Sequence, residues 1–210
     1  MADHPSHPIL AAIYEPVTAL AESWLFAEHR AYLADGLSGR VLDVGAGTGA
    51  MFPFVAAIGG EIELHAIEPD PYMRERAKEN AAAIDLDVSV VDARAEALPY
   101  PDDFFDAVIA SLVFCTIGDV EQAMAEIARV LRPGGELRFF EHVRADGARG
   151  SVQDVLAPAW KRVAGGCHLN RTTGELFERD QRFDIAELDR LDVGIAVVRP
   201  FVRGRLIARG

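Results

Sequence analysis

The sequence predicts an α/β fold: a doubly wound open sheet of seven strands, mostly parallel, with an antiparallel hairpin at its C-terminal edge. Three observations lead there. Apolar runs of strand length alternate with stretches of helical periodicity from residue 40 to residue 141. The first of those runs ends directly in Gly45-Ala46-Gly47-Thr48-Gly49. The 210 residues, half of them hydrophobic, suit one domain with an ample core.

Taken in order, residues 9–37 have helical spacing interrupted at Pro16, and residues 40–44 form a short buried strand. A helix is expected over 50–58, where Pro53 falls in the first turn. Residues 61–67 alternate as a second strand, and Asp70 before Pro71 starts a helix over 71–84. Strands follow at 86–91 and 107–111. Asp119 caps a helix to residue 131, stopped by Arg132-Pro133-Gly134-Gly135, and a fifth strand covers 136–141. Beyond Gly147 the pattern loosens: helices at 152–163, despite Pro158, and at 172–178, then strands at 182–191 and 194–208 joined as a hairpin. The expected organisation is a single domain, with an N-terminal helical lid (1–38), a ligand-binding core (39–145) and a final part (146–210) carrying the remaining helices and strands.

Composition narrows the partners. A net charge of −12, with Lys78 and Lys161 the only lysines, offers no footprint for a nucleic-acid backbone. The apolar stretch 9–26 is broken by Glu15, Pro16 and Glu22, so no transmembrane segment or signal peptide is expected. The two cysteines, Cys115 and Cys167, are far apart and form no CxxC pair, which suits a reducing, cytoplasmic setting. His4 and His7 lie in a polar start, and no His/Cys/Asp set has ligand spacing along the chain, so no metal is expected. The oligomeric state has no signature in the sequence.

The glycine turn marks a ligand. A strand turning straight into a helix must pass its ligand closely, and glycine removes the Cβ that would intervene. Glu68-Pro69 ends the second strand about twenty residues on, where a carboxylate reaches ribose hydroxyls. Asp92-Ala93 follows the third strand, where an adenine edge would be read, and Ser111-Leu112 follows the fourth. A nicotinamide dehydrogenase would use the same architecture, but no Tyr-x-x-x-Lys pair is present to relay a proton.

VLDVGAGTG (41–49), AIEPDP (66–71), DARAEALPYPDDFFDAV (92–108) and ARVLRPGGEL (128–137) together resemble a class I S-adenosylmethionine-dependent methyltransferase, of the type 11 domain. The resemblance implies a Rossmann-like fold and S-adenosylmethionine as cofactor, with S-adenosylhomocysteine as product. It implies that Gly45, Ala46, Gly47 and Gly49 hold the methionine part, Glu68 with Pro69 the ribose, and Asp92 with Ala93 the adenine. Asp43 then orders the loop and approaches the methionine amine.

The last third is similar to the methyltransferase-like thiol S-methyltransferases. The likeness lies in Glu141-His142-Val143, Pro158-Ala159-Trp160, the stretch GCHLNRT (166–172) and Val198-Arg199-Pro200. The animal members begin with a hydrophobic membrane anchor, whereas the stretch here is short and interrupted. The N-terminal helices are therefore read as a lid over the cofactor, with an apolar face that packs on the core or, less commonly, touches a lipid surface peripherally. The resemblance implies methyl transfer to a small molecule, with a thiol as the most specific acceptor. His142 is the candidate base, or a loop-bonding histidine. Glu141 positions the substrate or pairs with an arginine such as Arg171. Trp160 walls the substrate or packs in the core, and Arg171 holds an acidic substrate group or an ion pair. Both cysteines read as small buried hydrophobes. Quinone, amine or phospholipid-headgroup methylation is a second reading, and a non-catalytic S-adenosylmethionine sensor a third. Nucleic-acid methylation lacks an Asn/Asp-Pro-Pro-Tyr-like segment after the fourth strand.

Overall fold

The computed structural model describes residues 26–194 and 197–210. Its strands are β1 (Gly39–Val44), β2 (Ile62–Ile67), β3 (Val88–Val91), β4 (Phe105–Ser111), β5 (Leu131–His142), β6 (Phe183–Leu191) and β7 (Phe201–Ala208). The helices are α1 (Ala27–Ala34), α2 (Phe52–Ile58), α3 (Pro71–Ala83), α4 (Val120–Val130), α5 (Gly147–Val163) and α6 (Thr173–Arg179). They build one sheet of order β3-β2-β1-β4-β5-β7-β6, parallel from β3 through β5 and antiparallel where β7 joins β5 and β6.

Burial on both faces dictates the composition of the central strands. On β4, Val108 and Ala110 enter one apolar cluster with Leu42, Met124 and Phe139, while Ala107 and Ile109 enter the other with Val41, Phe52 and Phe140. Alternate residues of a strand point to opposite faces, so a strand covered on both sides must be apolar throughout. Strand order reverses between β1 and β4, and the carboxyl ends on either side of that reversal are where an open sheet receives its ligand.

The helix starts are chemically specified. Asp70 accepts from the N–H groups of Tyr72 (2.9 Å) and Met73 (3.2 Å) at the head of α3, and Asp119 accepts from Gln122 (3.0 Å) at the head of α4. Each cap satisfies N–H groups that the helix itself leaves unpaired.

Three boundaries differ most from the sequence expectation. β5 begins at Leu131 rather than 136, because Arg132-Pro133-Gly134-Gly135 bulges out of the ladder instead of ending it: Leu131 pairs with Phe105, and Glu136 with Ala107. β7 begins at Phe201 rather than 194, after Pro200, which has no N–H to donate. α5 begins at Gly147 rather than 152. Buried Gln153 anchors it there, accepting from Ala145 N–H at 2.7 Å and donating to the carbonyls of Val197 (3.2 Å) and Arg199 (3.0 Å). Of the helical stretch expected over 9–37, only α1 lies within the described residues. It packs His29 on Phe140 with ring centroids 4.5 Å apart. No helix among the described residues is long and apolar enough to cross a membrane.

Candidate active site

At the reversal point the chain leaves β1 through the glycine turn. Gly45 has φ +65°, and a Cβ there would lie 2.2 Å from Val113 Cγ2, so this position admits no side chain. Gly47 has φ +58°, but a Cβ there would meet nothing within 4 Å. The turn therefore leaves a cradle above Gly47. Glu68 closes its floor: one carboxylate oxygen accepts from Gly47 N–H (2.9 Å), the other from Asp70 N–H (2.8 Å). Burial raises the Glu68 pKa, and those two N–H groups oppose the rise.

Asp43, 2% exposed, sits directly beneath this turn, with Oδ2 buried and without a hydrogen-bond partner. Its pKa is pushed up to about 7 by burial and by Glu68, against the pull of the Arg30 guanidinium. A buried acceptor without a donor is costly unless a ligand supplies one. Ser111 Oγ, at the end of β4, is likewise buried and unpartnered. Next to it Leu112 adopts φ +60°, a conformation branched and bulky residues avoid, held by its N–H on the Phe140 carbonyl at 2.8 Å. An open cradle, two orphan oxygens and a strained residue at adjoining strand ends fit a polar ligand with donor groups. Asp92, half-exposed after β3, pairs with Arg74 at 3.1 Å, with Ala93 beside it. A separate groove lined by Gly39, Arg40, Glu63, Phe104 and Arg132 lies at the opposite, amino end of the strands, away from these groups.

On the other side of the reversal, Glu141 and His142 end β5. Glu141 is fully buried; Oε1 accepts from Val113 N–H (2.7 Å) and Phe114 N–H (3.1 Å), while Oε2 has no partner. Burial pushes its pKa up to about 7 against those two donors. His142 Nε2 lies 3.1 Å from Cys167 Sγ, onto which Trp160 Nε1–H also donates at 3.4 Å. Cys115, whose S–H donates to the Leu112 carbonyl at 3.6 Å, completes the group through a hydrogen bond with Cys167. That hydrogen bond, with those of His142 and Trp160, holds the Cys167 thiol well below its ordinary range despite its burial. Its partner Cys115 is raised by the same bond and by burial. Burial alone would lower His142, but its hydrogen bond and charge contact with Cys167 raise it. The contact thus shifts Cys167 toward its ionised form and the His142 imidazole toward its protonated one.

His142 and Trp160 both reach Cys167, and Glu141 lies next to His142 on β5. Arg171 stands beside them, but its guanidinium donates to the Phe114 and Ile117 carbonyls, the latter at 2.7 Å. It braces the turn that carries Cys115. Two participants escaped sequence reading. Arg30 of α1 is 5% exposed and acts electrostatically on Asp43; its only signal was a charged residue inside an apolar helical stretch. The cysteine pair meets across 52 residues of chain, a proximity no linear motif encodes.

Residues 42–139 match the methyltransferase domain family. The chain is 30% identical to the human thiol S-methyltransferase TMT1A over 199 residues, covering 91% of this chain and 80% of that protein. It is 31% identical to the thiol S-methyltransferase TMT1B of Rattus norvegicus over 146 residues, covering 67% of the chain but 59% of the relative. Against the ubiquinone/menaquinone biosynthesis C-methyltransferase UbiE of Yersinia pestis identity is 39% over 144 residues, 67% of this chain and 54% of that one. The chain thus spans less than two thirds of these last two proteins. Among solved structures the [4+2]-cyclase SpnF superposes with a TM-score of 0.74 at 20% identity, covering 96% of this chain and 94% of that one. That likeness concerns the fold alone, which hosts more than one chemistry.

Proposed function

Because this chain belongs to the class I S-adenosylmethionine-dependent methyltransferases, we propose that its methyl acceptor is a small thiol, taken up in the cytoplasm. The observation that carries this reading is the convergence of His142, Cys167, Cys115 and Trp160 at the carboxyl ends of β4 and β5. The TMT1A and TMT1B relatives, thiol S-methyltransferases by name, support it.

In this reading Gly45, Ala46, Gly47 and Gly49 hold the methionine part of the donor, with Asp43 on its ammonium and Ser111 and Leu112 along its flank. Glu68 with Pro69 takes the ribose, and Asp92 with Ala93 the adenine. Most of the expected lid (1–38) lies outside the described residues, α1 being the part that packs on the core (39–145), and 146–210 supply the acceptor side. When bound, S-adenosylmethionine supplies an electrophilic methyl group, so the chain has mainly to align the acceptor and exclude water. Trp160 forms an apolar wall. The acceptor's S–H proton passes to the Cys167–His142 pair, which becomes thiol and imidazolium, and the buried Glu141 carboxylate offsets the added charge. Arg171 keeps the Cys115 turn in place rather than binding substrate directly. The unbonded thiols of Cys115 and Cys167 suit a reducing compartment.

The acceptor is tested by incubating the protein with S-adenosylmethionine and, separately, an apolar alkyl thiol, a quinol, an amine and a phospholipid headgroup. S-adenosylhomocysteine should form with the thiol, together with the S-methyl product. Turnover confined to the quinol, the acceptor class of the UbiE relatives, would overturn the thiol assignment.

The Asp43 contact predicts a pH dependence. Its folded pKa of about 7 lies above the ordinary 3.8, so ionising Asp43 opposes folding: its contribution is fully present below about 3.8 and is lost as pH rises through 7. A cationic ligand favours the ionised form. Donor affinity should therefore rise on the order of tenfold between about pH 5.5 and pH 7.5, before the ligand's own α-amino group loses its proton near 7.7–8.0. Calorimetric titrations should show this slope in the parent protein and its loss in Asp43→Asn. An equal slope in both would remove Asp43 from the site.

A further inference from the structure

We propose that Cys115, His142 and Cys167 form a binding site for a thiophilic divalent cation of the zinc class, with a fourth position open to an external ligand. The ligand atoms of all three lie within 4.8 Å of one another, and the residues are only 4%, 5% and 9% exposed. Tetrahedral zinc sits about 2.3 Å from sulfur and about 2.0–2.1 Å from imidazole nitrogen. Donor atoms around it are then roughly 3.5–3.8 Å apart, so the His142–Cys167 pair at 3.1 Å opens slightly and the widest separation, within 4.8 Å, closes by about an ångström, both within reach of side-chain rotation.

The three donors are presented by separate elements, each held by hydrogen bonds. His142 ends β5, paired with Phe201 of β7. The Cys115 turn is held by His168 N–H on the Cys115 carbonyl at 2.8 Å, and by the Arg171 braces at Phe114 and Ile117. Cys167 is fixed by its own N–H on the Ala164 carbonyl at 3.0 Å. Such a site is not a by-product of one flexible loop.

The donor set also selects. Two sulfurs and an imidazole suit zinc, cobalt or cadmium and disfavour magnesium and calcium, which take oxygen ligands. Loading releases two protons to solvent, the Cys115 thiol proton and the one shared by Cys167 and His142. Two thiolates and a neutral imidazole then neutralise the dication. Three protein ligands with one open position match reactive rather than closed structural zinc sites. A thiol at that position would be ionised by the metal, with His142 acting as ligand instead of base. That last step rests on the thiol reading; the metal site itself does not.

The test uses the full chain, reduced and freed of metal by a chelator, titrated with cobalt(II). One cobalt per chain should bind, giving thiolate-to-cobalt charge-transfer absorption and the visible bands of tetrahedral cobalt, and zinc should displace it. Cys115→Ser and Cys167→Ser should each weaken binding by about 100-fold or more, equivalent to ~2.7 kcal/mol. His65→Ala, far from the cluster in the sheet, should leave it unchanged. The absence of these bands in the unmutated protein would overturn the site, and that readout does not depend on the fold of any variant. Adding an alkyl thiol should then shift the visible cobalt bands. Cobalt that binds tightly but ignores the thiol would leave the metal site standing and refute the thiol as its fourth ligand.

Discussion

Replacing Gly47 with leucine is expected to abolish S-adenosylmethionine binding while the chain stays folded. The residue holds φ +58°, which costs a side-chain-bearing residue about 1–2 kcal/mol. Nothing among the described residues lies within 4 Å of the added Cβ, so the leucine side chain extends into the cradle rather than into the core. Affinity should fall at least about 100-fold, or ~2.7 kcal/mol. Gly45 supplies the contrast. A leucine there drives its Cβ to 2.2 Å from Val113 Cγ2, between the ends of β1 and β4, and should lower the melting temperature sharply as well. Calorimetry with a parallel thermal melt separates the two. Unchanged donor affinity in Gly47→Leu would remove the ligand from the turn.

Glu141→Ala should produce the largest loss at the acceptor end. The carboxylate holds the Val113 and Phe114 N–H groups, and its removal leaves two buried donors unpaired at about 1–3 kcal/mol each, partly offset by relief of a buried carboxyl group. The turn carrying Cys115 loosens, so kcat/KM for the acceptor should fall about 100-fold, or ~2.7 kcal/mol of transition-state stabilisation. Donor affinity should change little.

Glu141→Gln separates shape from charge. Its amide oxygen can still accept from the turn, so stability is retained, but it cannot offset a protonated Cys167–His142 pair, and turnover should stay depressed. The folded pKa of about 7 exceeds the ordinary 4.5. Stability from this group is therefore full below about 4.5 and lost as pH rises through 7. Melting curves across that range should be flatter in Glu141→Gln than in the parent. Full acceptor turnover in the glutamine variant would mean that Glu141 acts only by shape.

The half of the candidate site around the glycine turn was legible because local chemistry writes it into the chain. A glycine turn after an apolar strand, an acid after the next strand and a capped helix at Asp70 are each short-range signals, and the structure places them at adjoining strand ends. The acceptor half was legible only in part. Glu141 and His142 announce themselves at the end of β5, but the partners that define their chemistry arrive from elsewhere. Val113 and Phe114 come from the turn after β4, Trp160 from α5 and Cys167 from the turn beyond it. Long-range packing sets that meeting, so two cysteines that read as isolated small hydrophobes come to lie against each other and an imidazole.

The strand boundaries failed for related reasons. Arg132-Pro133-Gly134-Gly135 has the composition of a stop signal, yet the ladder tolerates it as a bulge because Leu131 and Glu136 both find partners on β4. At β7 the apolar pattern begins before Pro200, but pairing with β5 and β6 begins only at Phe201.

The most direct test of the account is a crystal structure with S-adenosylhomocysteine bound. The account predicts the homocysteine part over Gly45 to Gly49 with its amine on Asp43, ribose hydroxyls on Glu68, and the sulfur facing the cluster of His142, Cys167 and Trp160. A ligand whose sulfur faces away from that cluster, or one bound in the groove at Arg40 and Arg132, would contradict it.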